Sequence, residues 1–542
     1  MRVRDVTGGP GRRPWYHFAG VAGSGMSALA QFHALRGGMA TGSDRFFDYP
    51  KREAGSAVNG TTEQGRAHLP GDQRRDERRD PPEDERDLMD LRSRLEACGI
   101  MITPQDGTGL SGPEGLCDAL IVSSAVEETV PDVRAARARG VPVLHRSELL
   151  ARFVREHRAV AITGTSGKST VTAMTFEILV AAGLDPSVIT GADLDGLREN
   201  RMPSVSSLPG VPGLPGLSGM PSLLGLPGNA WAGRGDLLVI EADESDGSLV
   251  RYEPWAGVLL NLQRDHKEPE ELAKIFSVFR AQTHGPFIIG EEANLDYLAE
   301  GAIRFGFGER CDLRAENISL NGDGSHFTLR AHHAIRDPGG DTVEVRLPVP
   351  GLHNVSNATA AVAAARVCGV TLPTAAFALA GFRGVARRFR LLGAARGVEV
   401  VDDFAHNPEK IAAAIAAARL RTDPRRGRLL AFFQPHGFGP TRFLRDGLIE
   451  AFVRGLTKHD RLYLPEIFYA GGTASRDISS SDIVETVCAR GVPATFRGTR
   501  DELVGLIAAE AQAGDLVLVM GARDPSLTGF ARAILRRLEE AR

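Results

Sequence analysis

The segment AITGTSGKSTVTAMTFEILVAAG, residues 161–183, joins an apolar strand to a glycine-rich turn and that turn to a helical run. A triphosphate cradle needs this order. Gly164 and Gly167 let backbone N–H groups approach phosphate oxygens, and the following helix N-terminus adds partial positive charge. Lys168 reaches the outer phosphates, and the Ser169 hydroxyl can ligate magnesium. The whole turn, Gly164, Thr165, Ser166, Gly167, Lys168, Ser169 and Thr170, is therefore the candidate nucleoside-triphosphate site. Ile162 stands where the GxxxxGK[ST] spacing asks for its first glycine, so the reading rests on the strand–turn–helix context.

A metal-bound triphosphate also needs acidic support at neighbouring strand ends. LLVIEADESD supplies Glu241, Asp243, Glu244 and Asp246, and GVLLNLQRDH ends in Asp265 and His266. Alone, the first cluster reads equally well as a solvated capping turn, and His266 as an ordinary satisfied histidine. Three such strand ends in one series favour a magnesium site made by Ser169, Glu241 and His266.

Outward from this centre, apolar runs alternate with Ala-rich amphipathic segments, the pattern of doubly wound parallel sheets. The expected fold is α/β in three domains. These are a Rossmann-like N-terminal domain (1–155), a central P-loop domain with a mainly parallel sheet (156–382), and a Rossmann-like C-terminal domain (383–542). Residues 51–90 carry the mixed-charge run RRDERRDPPEDERD, read as a solvated insertion, and 205–230 repeat Pro-Gly-Leu units, read as an irregular loop.

With 64 basic and 68 acidic residues, no global field recruits nucleic acid or anionic lipid. No apolar stretch approaches membrane-spanning length, and the N-terminus lacks an apolar signal core, so a cytoplasmic protein acting on small molecules, as monomer or homodimer, is expected. Five scattered cysteines suggest neither a disulfide framework nor a zinc site, and are read as reduced core residues.

A second glycine-rich turn, Gly20, Gly23 and Gly25, follows a short strand and precedes a helix. Its amides could face a diphosphate, or the turn could be tight packing with no ligand. Ala22 replaces the central glycine of GxGxxG, which weakens a nicotinamide-binding reading. In order along the chain stand HFAGVAGSGMSALA, GSD, IVSSAV, GTSGKST, EADESD, NLQRDH, GLHNVSNATAA, GVARRF, DDFAHNP, FQPH and GDLVLVMGA. Over nearly its whole length the chain thereby resembles the Mur ligase family, most closely its alanine-adding branch and the branch that recycles murein tripeptide.

The resemblance implies an ATP- and magnesium-dependent carboxylate–amine ligase working through an acyl phosphate. By it, the first domain holds a UDP-sugar through Gly23, Ser24, Gly25, Met26, Ser43, Asp44, Ser123 and Ser124. Lys168, Glu241 and His266 are catalytic, His353, Asn354 and Asn357 contact adenine, and Arg388 and Asp402 complete the ATP site. The hinge offers both Arg387 and Arg388, and the acidic pair both Asp402 and Asp403. The acceptor amine falls to His406, His436 and Arg442. Here this chain departs from the alanine-adding pattern: Phe404 and Asn407 stand in the DDYxHHP motif, and Gly437 and Pro440 occupy positions of arginines suited to an amino-acid carboxylate. The expected acceptor is an amino acid, L-alanine first, joined to UDP-N-acetylmuramate. A murein peptide or another amine stays open, as does a non-catalytic nucleotide-binding homologue.

Overall fold

The alternating runs become strands and covering helices that a computed structural model arranges in three sheets. The structure describes residues 13–48, 83–113, 115–198, 228–263, 267–332, 335, 340–422, 427–469, 475–522, 524 and 526–540. His266, Asp265, most of the 51–90 run and most of the 205–230 loop lie outside the described residues.

In the first sheet, Trp15–Ala19 is central and fully buried, flanked by Met39–Ser43 on one side and Ala119–Val122 on the other. Ile100–Ile102 and Val143–His145 form its edges, and every pairing is parallel. The chain moves first to one side of Trp15–Ala19 and then to the other, so the turn after Ala19 sits where strand order reverses. That is where open α/β sheets leave a crevice.

The central sheet has ten strands. Arg158–Thr163 lies between Leu237–Glu241 and Ala256–Leu259, both parallel to it. Glu241 stands opposite Ile162 and Leu259 opposite Thr163, which brings three strand ends, with the turns that follow them, to one edge. The helix Lys168–Ala181 is buried at every position from Ser169 onward, since Leu352–Val367 and Leu372–Ala380 pack against it. Burial all round fits a helix with no charged face, in which Thr172, Thr175 and Glu177 are buried among apolar side chains. The far side of the sheet ends in an antiparallel meander, Leu313–Asn321, Gly324–Ala331 and Thr342–Leu347. Along Leu313–Asn321 only Leu313 and Ala315 are buried, and beyond the register shift between Glu316 and Ser319 the strand runs out into water.

The third sheet runs Arg390–Ala395, Val398–Asp403, Leu516–Gly521, Leu429–Gln434, Arg461–Pro465, Ala494–Arg497, parallel except for the first pair. Cys98, Cys117 and Cys311 are buried, and burial pushes their thiols up to about 12. Cys488 is exposed, which corrects the expectation that all five are core residues. No helix among the described residues is long and apolar enough to cross a membrane.

Candidate active site

The three turns at the edge of the central sheet interlock. Lys168 Nζ donates to the Gly164 carbonyl at 2.9 Å and to Glu244 at 2.7 Å, with Asp243 at 3.8 Å. Burial works to lower the lysine's pKa, but the Glu244 and Asp243 carboxylates outweigh it and hold the ammonium charged. The Ser169 hydroxyl donates to Glu241 at 2.9 Å, and the other Glu241 oxygen accepts from Thr190 Oγ1 and the Gly191 N–H. Asn261 accepts from the Thr165 hydroxyl and the Ser166 N–H and returns a hydrogen bond to the Ser166 carbonyl. Ser166 also donates to Gln263. These amides clamp the turn from the third strand end, a role for Asn261 and Gln263 that the sequence pattern, pointing to Asp265 and His266, does not signal.

A cavity of about 300 Å³ opens over this turn. Thr165 through Thr170, Glu241, Asn261 and Gln263 line it together with His353, Asn354 and Asn357. Asn354 donates to the Pro350 carbonyl and accepts from Asn357. Burial pushes His353 down to about 4, so its imidazole is neutral at pH 7. Glu292 also reaches the cavity, accepting from the Leu262 N–H; no pattern in the sequence singled it out. Gly167 has φ +88°, and a Cβ there would lie 2.4 Å from Asn357 Oδ1. Gly167→Ala is therefore expected to weaken ATP binding roughly tenfold or more, measured by calorimetry, through strain and displacement of Asn357 together.

The segment entering the third domain carries the far wall. Arg387 and Phe389 adopt φ +57° and +52°, left-handed conformations that cost about 1 kcal/mol or more each for non-glycine residues. They turn the two arginines apart. Arg388 donates to Ser169 Oγ at 3.1 Å across the domain boundary and lines the cavity. Arg387 donates to the Gly521 and Asp524 carbonyls. Both guanidinium groups stack on the Phe404 ring, at 4.9 and 4.6 Å. The acidic pair divides likewise. Asp403 lines the cavity, accepts from the Phe389 and Ala405 N–H groups, and is pushed up to about 6 by burial against the opposing pull of Arg388. Asp402 is buried, accepts from Thr528 and lines a second cleft on the other side of the strand.

That second cleft is bordered by Ala22, Ser24 and Ser27 of the first domain, Asn229 of the second, and Arg387, Arg390 and Arg532 of the third. Gly23 is the N-cap of helix Ser24–Leu35, with Gly25 and Met26 in its first turn. Ser43 and Asp44 brace this turn from below. The Ser43 carbonyl accepts from Gly20 and Val21, Asp44 accepts from Ala22 and Phe46, and the Ser43 hydroxyl donates to buried Asp132. Ser123, half-buried, and Ser124, exposed, follow the strand Ala119–Val122.

Of the acceptor candidates, His406 and His436 come together, ring centroids 5.5 Å apart, with Lys410 Nζ 3.5 Å from His406 and reaching the cavity over the Thr165–Thr170 turn. Asn407 caps the helix Pro408–Arg421. Arg442 is exposed and paired with Asp477.

Architecture and cleft define a three-domain α/β protein with a P-loop-like turn opening into a cavity between its second and third domains. Three family profiles match in succession: Mur ligase family, catalytic domain, over residues 89–158; Mur ligase middle domain over 162–365; and Mur ligase, glutamate ligase domain, over 387–523. The chain is 35% identical over 417 residues to a UDP-N-acetylmuramate–L-alanine ligase of Acidithiobacillus ferrooxidans, covering 75% of this chain and 82% of that one. It is 31% identical to one of Burkholderia cenocepacia over 97% of this chain and 98% of that. Among solved structures, the UDP-N-acetylmuramate-alanine ligase of Thermotoga maritima superposes with a TM-score of 0.69 at 22% identity, covering 97% and 99% of the two chains. A murein peptide ligase of Psychrobacter arcticus gives 0.62 at 22%, over 98% and 99%. The chain belongs to the Mur ligase family.

Proposed function

We propose that this chain activates the carboxylate of UDP-N-acetylmuramate with ATP and joins it to the amine of an amino acid, L-alanine first, in peptidoglycan synthesis. The observation that carries the reading is the meeting of Lys168, Ser169, Glu241 and Arg388 at one cavity bounded by two domains. The names of the 35% and 31% identical relatives support the substrates.

The substrate carboxylate attacks the γ-phosphorus of ATP and ADP leaves, giving an acyl phosphate. The amine then attacks the acyl carbon, and the tetrahedral intermediate expels phosphate. Lys168, with two of its three donors already engaged, has one left for a phosphate oxygen and stabilises the charge that develops in transfer. The turn's N–H groups cradle the phosphates, while His353, Asn354 and Asn357 supply the adenine end. Arg388 ties closure of the third domain to the occupied nucleotide, and closure keeps water from the acyl phosphate.

A magnesium ion, when bound, neutralises charge on the outer phosphates. Ser169 and Glu241 would hold it, and His266 joins them by the resemblance alone. No group of three or more His, Cys, Asp or Glu among the described residues forms a closed metal site. Two oxygen donors suit magnesium, which keeps waters and substrate phosphates in its shell.

At the acceptor end, Gly437 and Pro440 leave the helix Phe438–Gly455 without the two arginines of the alanine-adding pattern, and Arg442 is engaged by Asp477. This favours a murein peptide as the second reading of the acceptor. Incubation with ATP, magnesium and UDP-N-acetylmuramate, adding amino acids and murein peptides in turn, tests both. Phosphate release with a product heavier by the acceptor minus water is expected, and release with no amine-dependent product would sink the ligase reading.

A further inference from the structure

The nucleotide turn and the first domain's glycine-rich turn lie in different domains, yet one side chain touches the surroundings of both. Arg146 opens the helix Arg146–Glu156, whose first turn is fixed by a capping box between His145 and Glu148. Its guanidinium lies against the first turn of helix Ser24–Leu35: a Cβ built on Gly25 would sit 2.8 Å from Arg146 Nη1. A side chain at residue 25 would push the cation away from this helix start, where the Met26 and Ser27 N–H groups already donate to the Gly23 carbonyl and the Ser24 and Gly25 N–H groups precede the first intrahelical bonds. The other nitrogen, Nη2, donates to Asp246 of the central domain at 2.6 Å. The two side chains are 23% and 14% exposed, so the pair is partly withdrawn from water but still open to a ligand.

Asp246 belongs to the turn that grips Lys168. Its second oxygen accepts from the Ser248 N–H, and the same turn carries Asp243 and Glu244, the two carboxylates at the lysine. A planar guanidinium can serve two acceptors at once in fixed geometry. Arg146 thus has one edge beside the N-terminal turn of helix Ser24–Leu35 and the other on the turn that positions Lys168. A ligase of this kind must bring an anionic donor to a triphosphate, and a cation at the boundary offsets the repulsion.

We propose that Arg146 is a positioning residue for the donor: Nη1 binds an oxygen of the UDP-sugar diphosphate held over Ser24 and Gly25, while Nη2, through Asp246, registers that substrate to the Lys168 turn. The inference rests on the donor reading given above. The test is calorimetric titration of the full chain with UDP-N-acetylmuramate and, separately, with ADP. Arg146→Ala is expected to weaken UDP-N-acetylmuramate roughly ten- to hundredfold, the loss of one charge-assisted hydrogen bond, with the Kd for ADP held within about twofold and part of the donor affinity restored in Arg146→Lys. A purely structural arginine would lose both ligands together, and that result, or donor binding unchanged in Arg146→Ala, overturns the assignment. Should Arg146→Ala not fold, Arg146→Lys decides by the same titrations: weakened donor binding with normal ADP binding supports the role, unchanged donor binding ends it. Wild-type protein that binds ADP but no UDP-N-acetylmuramate overturns the donor reading itself, an outcome distinct from failure of Arg146 alone.

Discussion

Lys168→Met is expected to lower kcat roughly 10³-fold, the scale seen when a donor aimed at developing transition-state charge is removed. Loss of activity by itself would prove little, because Lys168 is also the partner of Glu244, which is 3% exposed and bonded to it at 2.7 Å. Removing one member of a buried pair costs about 3–5 kcal/mol, since the other charge is left unpaired. The single variant is therefore expected to melt at lower temperature as well as to lose turnover. Lys168→Met combined with Glu244→Gln separates the two effects. The double variant should recover most of the stability, read as a melting temperature, and none of the amine-dependent phosphate release. A double variant retaining a tenth or more of wild-type turnover would show that the transferred phosphate is stabilised by something other than this lysine.

The centre of the site was legible because strand, turn and helix are contiguous in 161–183, and contiguity fixes geometry. The acidic turn Glu241–Asp246 was legible for the same reason, but its internal division was not. Which carboxylate meets Lys168 depends on how Leu237–Glu241 registers against Arg158–Thr163, a pairing between segments far apart in sequence. The split of Asp402 from Asp403 has a similar cause. Adjacent residues on a strand point to opposite faces, so one aspartate had to leave the nucleotide cavity, and only the packing of the third sheet decides which. Two left-handed residues flanking Arg388 carry no sequence signal at all, since neither is glycine. The antiparallel meander leaves a weaker mark in the sequence, because its strands lack the continuous apolar run of strands buried on both faces.

Glu177→Gln is expected to stabilise the central domain increasingly as pH rises. Glu177 lies in the same helix as Lys168 and Ser169, is 2% exposed, and neither carboxyl oxygen has a hydrogen-bond partner among the described residues. Burial, reinforced by Asp195 and opposed by Arg383, pushes it from 4.5 up to about 8. Between those values the folded protein keeps a proton that the unfolded chain has released, so stability must fall as pH rises, by about 1.4 kcal/mol per pH unit. From pH 5.5 to 7.5 the wild type should lose about 2.5 kcal/mol relative to the glutamine variant, which has no proton to lose there. Glutamine brings its own cost of buried polar atoms, but that cost does not change with pH, so the widening gap and not its absolute size is the measurement. Calorimetric scans of the two proteins should diverge by roughly 5–10 °C over this range for a domain of this size. A gap that stays constant from pH 5.5 to 7.5 would mean that Glu177 is already ionised in the fold. The divergence bears on the site because Glu177 shares its helix with Lys168 and Ser169.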